Sequence, residues 1–153
     1  MGLDTSHGCW HGAYGEFHRW RCKLAEVAGL PPLELMEGFF SARDDDILGN
    51  PFAYSMREEV IGHYSIQRIV ARLPIKWSVL KRNPLHRLLT HSDCDGRIAW
   101  RYCLPIAKEL EKLLPLLPNE DGGGHISNWR DKTQRFIDGL RDAANKKEAV
   151  RFH

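Results

Sequence analysis

Three stretches of helical periodicity, the first two closed by glycine or proline, constrain the fold of this chain more than any other feature. From about Ala13 to Ala28, the residues Phe17, Trp20, Leu24, Val27 and Ala28 recur at helical spacing, while Glu16, Arg19, Lys23 and Glu26 fall mostly on other faces. Gly29 suits the position just past a helix end, and Pro31-Pro32 stops continuation. A second helix is predicted over Pro105–Leu114, with Ile106, Ala107, Leu110, Leu113 and Leu114 on one face and Pro115 and Pro118 ending it. A third opens at Asn128 as N-cap, with Asp131 three residues on resembling a capping box, and carries an inner stripe of Phe136, Ile137, Leu140 and Ala144. A chain of 153 residues is one domain by size, spanning 1–153. It buries roughly two thirds of its unfolded surface.

The segments between the helices supply the rest of the fold. Residues 2–12 read as an extended or looped lead-in, and Pro32 to Glu37 as one added helical turn. Asp44-Asp45-Asp46 and Gly49-Asn50-Pro51 are turn chemistry, so 38–62 reads as a surface loop, with a mobile lid as the functional alternative. Ser65–Arg72 reads as a short helix or strand. Leu73–Leu80 alternates apolar and polar after its proline and is predicted to be a strand. Asn83-Pro84 opens a short helix through Leu89, and His91–Gly96 is a turn. Ala149–Phe152 is expected as a final strand pairing with Gly2-Leu3-Asp4. The predicted class is α+β: about three main helices packed on a small sheet that includes the N- and C-terminal segments.

Composition excludes several functions. Apolar content of 42% and charged content of 27% are ordinary for a globular protein. A net charge of +2, with basic residues scattered and no run of five, argues against nucleic acid as the partner. No stretch approaches the roughly 20 apolar residues that span a bilayer. The Met-Gly-Leu-Asp start lacks the pattern of a signal peptide, and Met1-Gly2…Ser6 matches a myristoylation pattern too short to weigh. The cysteines at 9, 22, 94 and 103 are therefore expected as thiols, and the expected location is cytoplasmic.

Chemistry-bearing residues concentrate in three places. In Asp4–Gly12, the spacing His7-x-Cys9-x-His11 would put three side chains on one face of an extended strand. Zinc is the metal such donors would take, with Cys94 or His91 as a fourth ligand. The spacing is not that of a zinc finger, so no metal is favoured and no cofactor is expected. His91-x-Asp93-x-Asp95-Gly96 overlays part of a calcium loop but lacks both its first Asp and its closing Glu, leaving Asx-turn chemistry or a His91–Asp93 acid–base pair. Cys94 lies between two aspartates, which argues against a thiolate nucleophile. Gly122–Asn128 leads into a helix start with Arg130 and Lys132 in its first turn, an arrangement that suits an anion without being a P-loop. The alternative there is a linker with a capped helix. Among the aromatic residues, Trp10, Tyr14, Trp77, Trp100 and Trp129 are candidates to stack on a base, or else belong to core or rim.

At these same residues the chain resembles a family of uncharacterised small proteins found in phages, prophages and bacteria. The matching stretches are 1–14 (MGLDTSHGCWHGAY), 88–96 (LLTHSDCDG), 123–125 (GGH), 136–141 (FIDGLR) and 151–153 (RFH). The resemblance implies a setting: a phage-type accessory protein made in the bacterial host cytoplasm, where such proteins often bind and neutralise host factors or signals. The leading expectation is a binding protein that sequesters a small polar ligand, in the form of a nucleotide-derived defence signal. Asp4, His7, His11, His91, Asp93 and His125 would make its polar contacts, Trp10 or Trp129 would stack on a ring, and Arg130 would meet an anionic group. One alternative is a small hydrolase with His91 and Asp93 as acid and base and His7, Cys9 or His11 on a metal. Another is an inhibitor that binds a host protein. A homo-oligomer is compatible with each. The three segments are expected to converge on one pocket.

Overall fold

The computed structural model describes residues 2–39 and 74–153. Of the loop expected at 38–62, all but residues 38 and 39 lies outside the described residues, as does the short element at Ser65–Arg72. The architecture is α+β, with several helices packed against small sheets that include both chain ends. The elements are β1 (Gly2–Asp4), β2 (His11–Ala13), α1 (Tyr14–Val27), α2 (His86–Leu89), β3 (Gly96–Ile98), α3 (Trp100–Leu113), α4 (Trp129–Lys146) and β4 (Val150–Phe152), with short 3₁₀ turns between them.

Helix α1 forms where the periodicity predicts it. Phe17, Trp20, Arg21, Leu24 and Ala25 make its buried face. It ends at Gly29, where φ is +68°. The Gly29 N–H donates to Glu26 O at 3.1 Å and the Leu30 N–H to Ala25 O at 2.9 Å, the pair of bonds that closes a helix on a left-handed residue. Helix α4 starts as expected, because Asn128 Oδ1 accepts from the backbone N–H groups of Arg130 and Asp131. Helices α3 and α4 make the most extensive contact between elements. The aromatic centre of the core is Trp10, Phe17, Trp20 and Phe136, with Trp20 and Phe136 ring centroids 4.7 Å apart. The Trp20 indole N–H donates to Thr133 Oγ1 at 2.9 Å, and that hydroxyl donates to Trp129 O at 2.8 Å. A polar chain therefore satisfies the one polar atom of a fully buried indole.

Three expectations need correction. The C-terminal strand pairs with β3 rather than chiefly with β1, and β1 pairs with β2. The two ribbons meet at a bridge between Thr5 and Phe152, where Asp4 and His153 exchange two backbone hydrogen bonds, so the chain ends do come together. The strand predicted over 73–80 is reduced, among the described residues, to one bridge of Ile75 with Met36, followed by a 3₁₀ turn at Trp77–Leu80. Leu80 is buried and Val79 is 62% exposed, the reverse of what alternation requires; the three-residue spacing of Trp77 and Leu80 suits the 3₁₀ turn. Finally, Pro105 does not open its helix. α3 begins five residues earlier, at Trp100, and carries Pro105 inside it. The proline is exposed and sits in the second turn, where it removes one hydrogen bond without ending the helix.

Candidate functional site: a basic cavity at the start of helix α3

A cavity of about 420 Å³ opens between α2, the turn after it, β3 and the first turn of α3. It is lined by Arg87, Arg97 and Arg101, by His86 and His91, and by Tyr102, with no carboxylate lining it among the described residues. Arg87 lies over the Tyr102 ring, 3.7 Å from its centroid, and donates to the phenol oxygen at 2.9 Å. Hydrogen bonding from Arg101, with the charges of Arg101 and Arg87 behind it, pulls the Tyr102 phenol below its ordinary pKa. No ion pair ties Arg87, Arg97 or Arg101 to a carboxylate among the described residues. Ala99 is the N-cap of α3 and supplies no capping side chain, and the first turn carries no acidic residue. Uncapped N–H groups and the positive end of the helix dipole therefore add to the arginines.

His91 enters the wall from the turn. Its Nδ1–H donates to Ser92 O at 2.9 Å, which leaves Nε2 as the free polar edge, and its ring stacks on Phe152 with centroids 3.9 Å apart. Gly96 makes that position possible. Its φ is +102°, and a Cβ there would stand 3.3 Å from both Cε1 and Nε2 of His91. His86 is held below the usual 6.5 by burial, and then by the charges of Arg87 and Lys81. His18, on α1, is lowered by burial and then by Arg21.

These two shifts give a pH prediction. In both histidines the folded pKa lies below the unfolded value of 6.5, so the unfolded chain takes up protons first as pH falls. Their contribution to stability is complete above about pH 6.5 and is lost progressively below it. Urea unfolding at pH 7.5 and 5.5 is expected to show a lower midpoint at 5.5. His18→Gln with His86→Gln should flatten that difference; an unchanged difference would refute the assignment.

Of the residues expected to bind a ligand, His91 is the one found in this cavity among the described residues. Asp93 instead pairs with the buried guanidinium of Arg21, so it does not orient His91. His7 adopts φ +58° in a 3₁₀ turn, and its Nδ1 and Nε2 lie 2.6 Å from Asp142 and 3.3 Å from Glu148. Cys9 is fully buried, and burial first of all pushes its thiol up to about 12. His11 is exposed and bonded to Asp4 at 2.5 Å. His7, Cys9 and His11 therefore do not share a strand face, because the chain turns between them. Among the described residues no group of three His, Cys, Asp or Glu side chains has a geometry that could hold a metal ion. Cys94 is exposed in its turn. Trp10 and Trp129 are buried, and Arg130 donates to Leu117 O at 2.8 Å and Pro115 O at 3.3 Å, tying down the end of α3.

The lead-in and the glycine loop do meet. The His11 and His125 rings lie 6.4 Å apart, and Arg19 bonds the carbonyls of Gly122 and Gly123. The 91–97 turn is tied elsewhere, to Arg21 and Phe152. Sequence reasoning missed Arg87, Arg97, Arg101, His86 and Tyr102. The available signal was Arg97 and Arg101, four residues apart across a strand–helix junction, together with the basic cluster Lys81-Arg82…His86-Arg87. No protein-family model, curated protein or solved structure matches the chain.

Proposed function

We propose that this chain captures a small anionic ligand, of phosphate-bearing chemistry, in the cavity at the start of α3. The observation that carries the reading is three arginines lining one cavity, with no lining carboxylate among the described residues to neutralise them. Guanidinium forks match phosphate oxygens in pairs, and a helix start favours the same charge. The ligand-capture reading thus rests on this basic cavity and not on a pocket shared by the three histidine-rich segments. Capture is favoured over hydrolysis because the expected acid–base pair is otherwise engaged: Asp93 on Arg21, and His91 Nδ1 on Ser92 O. A phage-type accessory role in a bacterial cytoplasm, with a nucleotide-derived signal as ligand, belongs to the same proposal. Among the described residues no helix is long and apolar enough to cross a membrane.

Titration calorimetry with orthophosphate and with adenosine monophosphate tests the reading. Binding is expected to weaken as salt rises. Arg101→Gln or Arg87→Gln is expected to lower affinity about 10-fold or more, from losing one charge-assisted hydrogen bond of about 1.5–3 kcal/mol. The ligand recovered after heating should be unchanged. A thermal midpoint that no phosphate compound raises would overturn capture, and a chemically altered ligand would favour the hydrolase.

A further inference from the structure

The cavity's charge does not stop at its rim. β3 and β4 pair in antiparallel register with Arg97 directly opposite Arg151. The flanking pairs are Gly96 with Phe152 and Ile98 with Val150, and Ile98, Val150 and Phe152 are buried. Strand alternation therefore turns both arginines to the other, exposed face of the ribbon. Like charges directly opposite one another destabilise a ribbon. Neither arginine is paired with a carboxylate among the described residues. Arg97 belongs to both features: it lines the cavity and it faces Arg151.

We infer that the ligand carries more than one phosphate, with the first seated in the cavity and the next bridging Arg97 and Arg151. The inference rests on the capture reading and names its substrate class: a nucleoside di- or triphosphate, or a bare polyphosphate. A guanidinium pair facing across a ribbon is a repulsive arrangement when empty and a fork for an anion when filled. A single orthophosphate in the cavity leaves it unfilled. A chain of phosphates reaches from one feature to the other through Arg97, which both share.

The test is calorimetry on the intact chain with orthophosphate, tripolyphosphate and adenosine triphosphate as probes. The wild type is expected to bind tripolyphosphate at least tenfold more tightly than orthophosphate. Arg151→Gln removes most of that preference, leaves orthophosphate affinity unchanged, and raises the ligand-free thermal midpoint because the facing charge is gone. Lys108→Gln, an exposed cation two turns along α3, is the charge control and changes neither affinity. Adenosine triphosphate binding more tightly than tripolyphosphate, with the same loss in Arg151→Gln, identifies the source as a nucleotide; equal affinities identify the polyphosphate itself. If Arg151→Gln retains the full preference, or Lys108→Gln loses as much, the second subsite is refuted while the cavity stands. If no probe binds, the capture reading falls and the subsite with it.

Discussion

Arg21→Ala is expected to destabilise the fold by about 3–5 kcal/mol, from buried carbonyls left unbonded at about 1–3 kcal/mol each and from the cavity its side chain leaves. Arg21 sits on the inner face of α1 with 0% of its surface exposed. Its Nη1 donates to the carbonyls of Leu89 at 3.2 Å and His91 at 2.5 Å, and reaches Leu88 O at 3.5 Å. Its Nη2 pairs with the Asp93 carboxylate. The guanidinium also lies 4.6 Å from the Phe17 ring centroid. Those carbonyls include that of Leu89, the last of α2, which has no partner inside so short a helix. One side chain thus caps α2 and holds the turn that carries His91. Burial pushes the Arg21 pKa down and Asp93 pulls it part of the way back, so the ion pair offsets only part of the desolvation of the charge. At roughly 2–4 °C per kcal/mol for a chain of this size, the thermal midpoint falls by about 10 °C. If the cavity takes phosphate as proposed, that affinity is expected to weaken as well, because the cavity wall hangs from this anchor. Arg21→Met with Asp93→Asn, which removes both charges and keeps the volume, should recover part of the loss. A loss under 1 kcal/mol in Arg21→Ala would mean that water replaces the guanidinium without penalty.

Arg21 also marks the boundary of what the sequence discloses. Periodicity places α1 and α4 correctly, because their apolar stripes are long enough to average over exceptions. It also identifies Asn128 as a cap, since capping chemistry is local. An arginine one turn after Phe17 lies in the inner stripe by spacing alone, yet its residue type argues for solvent. Only the carbonyls and carboxylate brought from 88–93 make that burial tolerable, and no local pattern announces them. The strands are three residues each, too short for alternation to register, and β3 lies directly behind a turn rich in polar residues. The cavity is harder still to read, since its arginines come from α2, β3 and α3 and become a cluster only once β3 has paired with β4. The histidine-rich segments stand out by residue type, but much of their chemistry is internal: His7 bonds Asp142, His11 bonds Asp4, and Asp93 neutralises Arg21.

Gly139→Ala should lower stability by about 2 kcal/mol, even though alanine is the better helix former by about 1 kcal/mol. Gly139 is buried inside α4, where the 7–9 segment crosses the helix. A Cβ at this position would lie 2.5 Å from Cys9 Sγ, 2.8 Å from His7 O and 3.0 Å from Cys9 N. Two of those three atoms are backbone, so rotating a side chain relieves only part of the clash. The segment is also held from both ends. Thr5 Oγ1 accepts from the Trp10 N–H at 2.7 Å, the Thr5 N–H donates to Trp10 O at 3.1 Å, and His7 bonds Asp142 on α4 itself. Shifting it outward strains these bonds and opens the packing around Trp10; holding it in place forces an overlap that no rotamer accommodates. Gly139→Val extends the same overlap and should destabilise further. Gly15→Ala in the first turn of α1 is the matched control, because a Cβ there meets nothing within 4 Å among the described residues. That change should leave stability level or raise it by up to about 1 kcal/mol. Urea unfolding therefore separates the two alanine variants, with Gly139→Ala falling while Gly15→Ala holds or rises, if the close crossing of 7–9 over α4 is real; a Gly139→Ala protein as stable as the wild type would show that this segment does not pack there.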